Sequence, residues 1–420
     1  PAIHPGGNML AYADYHADGY QAAIAPAFPL DTVPFSYPER KEQIDFTATE
    51  KEKEIITGES QASLSDVEVK PYRKPLQLLN IHSWLPLYFD YRNPEAALSA
   101  EEIPVSPGLT IVSQNLLSTA VALVGYEYRE KHHYFHSGIT LKGKYPIVDL
   151  TFRYGGEPLV YKADPGDEVP VQPDNLHFSS QVHVPLRLNT GKWISFVQPL
   201  VRWNYHSGYA FDPDRQQYRR GNHFFSYQLY ATSYLRKGIR DILPRWGASG
   251  SLYFRHAPFD PYTFGHLTSG SLTCYVPGIL SHHTIKFNAS AQYQEPGAYI
   301  FSNAMALPRG LYGIRGLEME KVSVDYTMPL FYPDLNLEAI LYLKRVRGTL
   351  WYDAMRGRDI FVSEPEPVLV NRTYQTFGVD LVADLHLLRI QFPFSLGGRA
   401  GYKPATGNWS YEFLYTVSIN

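Results

Sequence analysis

The chain has 420 residues, of which 15% are aromatic, with 33 tyrosines, and only 19% are charged. A net charge of -3 leaves no basic excess for a nucleic-acid track, and the single cysteine, Cys274, excludes an intramolecular disulfide and a cysteine-built metal centre. No apolar run approaches the ~20 residues of a membrane helix, so a membrane crossing would have to be made by a closed β-barrel.

The chain opens on Pro1 with no secretory leader, which leads us to expect a mature or trimmed part of a longer product. Turn chemistry at Pro5-Gly6-Gly7-Asn8 precedes a short strand over 9–15, and Ala17-Asp18-Gly19 supplies a second turn. This stretch resembles one blade segment of a TolB-type β-propeller, with His4 and Gly6 in place of the usual Ser and Asp of the turn. An ordinary hairpin is the alternative, since no second copy of the pattern occurs and a propeller needs several blades. Prolines 26, 29, 34 and 38 and the mixed charges of 39–42 and 50–54 then mark 25–74 as a solvated connector.

From about residue 76 the chain reads as about sixteen strand-like segments separated by turn residues. Several alternate with period two. Ile285, Phe287, Ala289, Ala291 and Tyr293 share one face, against Lys286, Asn288, Ser290 and Gln292 on the other. Phe178, Val182, Val184, Leu186 and Leu188 oppose Ser179, Gln181, His183 and Arg187, and Phe413, Tyr415, Val417 and Ile419 close the chain in the same way. A soluble sandwich would also alternate, with its apolar face inward. Three features favour a membrane barrel. The segments reach ~9–13 residues, the length a tilted membrane strand needs. Their polar faces carry Gln, Asn, Ser, Thr and His in place of the Lys and Glu of a solvated sheet. Aromatic residues recur toward segment ends, as interfacial girdles require. The expected fold is therefore all-β, a transmembrane antiparallel β-barrel of about 16 strands with an N-terminal remnant of a β-propeller. Its expected parts are residues 1–24 as the last part of that propeller, 25–74 as connector and 75–420 as barrel. The longer insertions, 156–174, 206–221, 296–317 and 356–371, are expected as extracellular loops.

The run 307–317, Leu-Pro-Arg-Gly-Leu-Tyr-Gly-Ile-Arg-Gly-Leu, breaks the strand pattern. Together with the segments after it, it resembles the BamA superfamily of outer-membrane assembly factors, which includes TamA-type translocation factors and two-partner secretion transporters. In that family a sixth extracellular loop with a Val-Arg-Gly-aromatic tip folds into a sixteen-stranded barrel. Here Ile314-Arg315-Gly316-Leu317 stands where the tip would be, Asp325 takes the acidic place on the next strand, and Trp351-Tyr352-Asp353-Ala354 matches the aromatic-x-Asp motif. The chain departs from the family at Leu317, at Asp325 in place of Glu, and in lacking a final aromatic residue.

Alternation supports the pairing independently. Val322, Val324, Tyr326 and Met328 share one face, so Asp325 points the other way, and Leu350, Tyr352 and Ala354 do the same for Asp353, Arg347 and Trp351. An arginine on an inward loop would reach both carboxylates through its planar fork, with Gly313 and Gly316 permitting tight turns. The alternative is an exposed loop with a solvated Arg315. Gly397, Gly398 and Gly401, with Phe413 and Tyr415 on the last segment, are candidates for a weakly paired seam that could template an incoming strand.

His132-His133-x-x-His136 and His282-His283 have no clear carboxylate partner, and polar interface or loop roles fit them better than metal binding. No nucleophile elbow, phosphate loop or dinucleotide fingerprint occurs, and an arginine between Asp325 and Asp353 would keep both ionised, the wrong state for a general acid. We expect no enzyme and no cofactor. The resemblance implies insertion or translocation of outer-membrane or secreted proteins, with outer-membrane lipids and clients as partners, together with periplasmic or lipoprotein subunits. A passive or gated channel, and a structural barrel anchoring a periplasmic propeller, are the other readings.

Overall fold

The computed structural model describes residues 2–3, 9–16, 19–26, 79–88, 106–157, 159–162, 169, 175–212, 215–238, 240–259, 264–295, 297–338, 340–363, 366–387 and 393–417. The chain divides into two units, Pro1–Gln77 and Leu78–Asn420. In the first, β1 (Ala2–Ile3), β2 (Met9–His16) and β3 (Gly19–Pro26) form an antiparallel sheet in that order. β2 and β3 pair as far as His16 and Gly19, and residues 17–18 of the expected turn lie outside the described residues. Beyond Pro26 the expected connector lies outside the described residues.

Among the described residues the second unit is one sheet of 19 strands. Its strands are β4 (Ile81–Tyr88), β5 (Ser106–Gln114), β6 (Ala120–Arg129), β7 (His132–Leu141), β8 (Ile147–Gly155), β9 (Val160–Tyr161), β10 (Leu176–His183) and β11 (Leu186–Arg187). They continue as β12 (Trp193–Asp212), β13 (Gln217–Leu235), β14 (Gly247–His256), β15 (His266–Pro277), β16 (Thr284–Glu295) and β17 (Glu318–Phe331). The last are β18 (Leu335–Leu337), β19 (Leu341–Ser363), β20 (Glu366–Leu387), β21 (Phe394–Lys403) and β22 (Asn408–Val417). Sixteen of these have eight or more residues; β9, β11 and β18 are two- or three-residue pieces. The long strands pair in sequence order as an antiparallel meander, the topology that short hairpin connections permit. At the β6–β7 hairpin Glu130 and Lys131 both adopt positive φ, 53° and 68°, the conformation of a two-residue type I′ turn that matches strand twist.

Two of the expected loops are strand. Residues 206–221 extend β12 and β13, which stay paired out to Asp212 and Gln217. Residues 356–371 extend β19 and β20, paired out to Ser363 and Glu366. The local Pro, Gly and charge content suggested loop, but cross-strand backbone bonding carries the ladder through it. The stretch 297–317 contains no strand.

The face that is buried is the polar one. On β17, Lys321, Ser323, Asp325 and Thr327 are buried while Val322 is 54% exposed; on β16, Gln292 and Gln294 are buried while Phe287 and Tyr293 are exposed. Leu229, Leu252, Leu272, Leu350, Val379 and Phe413 continue the exposed apolar face. A soluble sandwich would be packed the other way round, and an exposed apolar surface of this extent calls for a nonaqueous neighbour.

Candidate functional site

The segment 297–317 turns back over the polar face. Its C-terminal end is pinned by two backbone bonds of Leu317, from its N to Arg358 O at 2.9 Å and to its O from Gln294 N at 2.7 Å. Two glutamines on the buried face of β16 then hold its backbone. Gln294 accepts from Phe301 N at 2.8 Å, and Gln292 accepts from Ala304 N at 2.7 Å. Phe301 joins Ala210, Phe224, Ala257, Phe264 and Leu267 in one buried cluster, and Met305 meets Met319 and Met355 in another. Loop backbone carries unpaired polar groups, so such stapling is what permits its burial.

The segment delivers one guanidinium to two strand carboxylates. Arg309 donates to Asp353 three times, from its backbone N at 2.9 Å, from Nε at 2.9 Å and from Nη2 at 2.7 Å. The same Nη2 donates to Asp325 on the neighbouring strand. The planar fork therefore binds one carboxylate in bidentate fashion and still reaches the second, a geometry an ammonium cannot match. Its Cζ lies 4.4 Å from the Trp351 ring centroid, a cation–π contact. Asp325 also accepts from Lys286 Nζ at 3.2 Å.

Trp351 links this pair to the last strands. Its Nε1 donates to Asp380 at 2.8 Å. Arg399 donates to both oxygens of Asp380 and, at 3.0 Å, to Glu412, and Glu412 accepts from Tyr312 of the folded-back segment at 2.7 Å. Five strands, β17, β19, β20, β21 and β22, are thus joined through side chains on one face. Below them a cavity of about 490 Å³ is lined by Leu243, Lys286, Arg309, Asp325, Arg347 and Arg399 among others.

The structure brings together Asp325, Trp351 and Asp353, but the arginine is Arg309. The expectation for Arg315 is corrected: it is exposed, and no carboxylate stands in ion-pair range of it among the described residues. Its neighbour Gly316 packs closely, since an added Cβ would lie 2.9 Å from Met319 and 3.3 Å from Arg358 O. Leu317 is buried. Gly313 has φ of +70°, and Gly310, which the sequence reading left out, has +78° with a Cβ position 2.7 Å from Ser410 Oγ. The signal for Arg309 was present, because 309–311 and 315–317 are both Arg-Gly-Leu.

The seam candidates divide. A Cβ on Gly397 would lie 2.2 Å from Leu381 O, and one on Gly401 would lie 3.1 Å from the Trp351 ring. These two allow close approach to β20 and seat the indole. Gly398 has only Glu412 O near, at 3.9 Å. Phe413 is exposed on the apolar face of β22 and Tyr415 is half-buried.

Contrary to expectation, His132, His136 and His282 stand beside carboxylates, those of Glu157, Glu127 and Asp241. His133 meets Tyr126 OH at 2.7 Å and His136 meets Glu127 at 2.9 Å. His282 meets Asp241 at 2.9 Å and His283 meets Tyr326 OH at 2.7 Å. Among the described residues no group of three or more His, Cys, Asp or Glu could hold a metal ion, and no helix is long and apolar enough to cross a membrane.

No sequence family and no curated protein matches the chain. Among solved structures it is similar to BamA from Haemophilus ducreyi lacking POTRA domains 1-3, at 10% identity and a TM-score of 0.43, over 75% of this chain and 68% of that one. It is also similar to CdiB from Escherichia coli, at 11% identity and 0.42, over 75% of this chain and 59% of that one. CdiB from Acinetobacter baumannii follows at 11% and 0.38, over 75% and 57%, so the chain spans less than two thirds of either CdiB.

Proposed function

We propose that Leu78–Asn420 is a closed sixteen-stranded β-barrel of the BamA superfamily type in a bacterial outer membrane. It assists the insertion or translocation of outer-membrane or secreted proteins and carries out no enzymatic reaction. The observation that carries this reading is the inward segment whose Arg309 bridges Asp325 and Asp353, because it joins the acidic strand, the Trp-x-Asp strand and an Arg-Gly loop in one contact. Closure is supported by β22 and β4 standing as neighbours in the sheet order. The folded-back segment also reaches both sides of the ladder, Tyr161 through Tyr299 and Glu412 through Tyr312. The exposed apolar face supports a lipid surround.

The mechanism rests on the β22–β4 junction. There the last strand meets the first in the sheet order, while β21 and β22 on the other side share ten pairs. A weakly paired edge can template an incoming strand by β-augmentation, while the Arg309 contact braces β17 and β19 well away from that edge. The sheet of residues 1–24 is read as the end of a periplasmic β-propeller, which offers periplasmic or lipoprotein subunits a docking domain.

The test is reconstitution of the chain into liposomes, followed by the folding kinetics of an unfolded outer-membrane client. Faster client folding than in empty liposomes is expected. Ion conductance without acceleration would sink the assembly reading in favour of a channel.

A further inference from the structure

The folded-back segment roofs a second cavity, of about 400 Å³, on the polar face of β13–β16. Its size falls within the ~300–1,000 Å³ of small-molecule sites. Every strand side chain that lines it carries a hydroxyl, an amide or a guanidinium, and among the described residues no carboxylate does so. Ser251, Ser271 and Ser290 stand directly opposite one another across β14, β15 and β16. These short side chains leave the wall hollow where longer ones would pack against the segment. The roof, 302–306, is held by the bond that Ala304 N donates to Gln292.

Arg255 supplies the positive charge of this cavity. Its Cζ lies 4.9 Å from the Phe224 ring centroid and 4.7 Å from that of Phe301, so one ring of the sheet and one of the segment hold the guanidinium in place. Both rings are buried. Cation–π contact offsets part of the cost of taking a charge out of water. Arg309 and Arg399, on the same face, are set on carboxylates. Among the described residues no hydrogen bond and no ion pair reaches the Arg255 guanidinium. Its Nε is buried, so the two terminal nitrogens are the donors that face the cavity. The side chains of Gln228, Ser290 and Ser302 line the same space and are likewise without hydrogen-bond partners among the described residues.

We propose that this cavity binds a small hydroxylated organic anion. Its phosphate or carboxylate group lies on the terminal nitrogens of Arg255, whose fork matches either oxyanion. Its hydroxyls meet Gln228 and the serine wall, which both donate and accept. A bare inorganic ion would satisfy the arginine but leave most of the volume to water, each molecule of which takes ~30 Å³. A neutral polyol would leave the guanidinium without a counter-charge. Because Phe301 and Ser302 belong to the segment, the anion also ties it to β13, β14 and β16. The site needs only this segment and these strands, so a chain that accelerates no client folding leaves it standing.

The test titrates the full chain in neutral detergent, by calorimetry, with glycerol 3-phosphate and with glycerate, the phosphate and carboxylate forms of one small hydroxylated body. Saturable binding of at least one is expected, and the tighter of the two identifies the anionic group. Arg255→Gln should weaken it about tenfold, a loss of about one charge-assisted contact, and Arg255→Lys should restore part of that loss. Ser290→Val keeps the arginine but removes a hydroxyl and fills the wall. It should weaken the organic anion about tenfold, as loss of a hydrogen bond does, and leave inorganic phosphate unchanged. Inorganic phosphate itself is expected to bind about tenfold more weakly than the organic anion, for want of the same contacts. Absence of saturable binding by the unmodified chain, or binding that either Arg255→Gln or Ser290→Val leaves intact, overturns the proposal. Equal affinity for inorganic phosphate overturns it too, by making the site one for the free ion.

Discussion

Replacing Arg309 with alanine removes three side-chain hydrogen bonds, two to Asp353 and one to Asp325, and the cation–π contact with Trp351. Asp353 is 0% exposed. Without the guanidinium it keeps the bond from the Arg309 backbone and the more distant charge of Lys321, so a buried carboxylate loses its hydrogen-bonded counter-charge. Breaking a buried ion pair in this way costs about 3–5 kcal/mol. Asp325 is cushioned by Lys286 at 3.2 Å, which argues for the lower half of that range. Asp353→Asn leaves Arg309 one carboxylate, so its cost is smaller, about 1.5–3 kcal/mol for hydrogen bonds to a charged group. Because the two changes delete one shared interaction, the double variant should cost about 2 kcal/mol less than the sum. Urea unfolding of the refolded chain in lipid vesicles, followed by tryptophan fluorescence, measures all three. Arg315→Ala serves as the control and should stay within ~0.5 kcal/mol of the parent, as exposed substitutions do. Additive costs for Arg309→Ala and Asp353→Asn, or a cost for Arg315→Ala equal to that of Arg309→Ala, would refute the assignment.

Two further outcomes follow from the same geometry. Gly310→Ala should destabilise the chain by about 2–3 kcal/mol in the same unfolding assay, because it combines positive φ with a Cβ 2.7 Å from Ser410 Oγ. Gly313→Ala, with positive φ but open space around it, should cost only about 1 kcal/mol. The second outcome concerns pH at the opposite end of the sheet, where residues 236–246 connect β13 to β14. Burial of Asp241 works against its ionisation, but the His282 bond, the Gly238 N–H and the Arg245 charge outweigh it and hold the carboxyl below the usual range. A lowered carboxylate pKa stabilises above the unfolded value, and that contribution disappears as pH falls through the folded one. Hydrogen exchange of 236–246, corrected for intrinsic rates, should stay slow from about pH 7 to pH 5 and rise below about pH 4. Asp241→Asn should abolish that step; an unchanged step would assign it to another group.

Alternation along the chain determined which residues form strands and which of them share a face. Asp325 and Asp353 were legible as residues of the polar face because a period of two leaves a strand residue no third direction. The same rule placed Val322 and Leu350 on the apolar side, and the exposure of that side distinguishes the sheet from a soluble sandwich. Strand length was less legible. The polar hairpin ends of β12–β13 and β19–β20 have loop-like composition, and only cross-strand bonding extends them. Local sequence offered two candidates for the bridging arginine without choosing between them. Arg-Gly-Leu occurs at 309–311 and again at 315–317, and nothing within either triplet ranks one above the other. Depth decides it. The bond from Leu317 to Arg358 fixes the second triplet at the level of Arg358, and five residues of β19, at ~3.3 Å each, separate that level from Asp353. The earlier triplet has eight residues of chain before Leu317 in which to descend, so Arg309 reaches the carboxylates while Arg315 remains exposed.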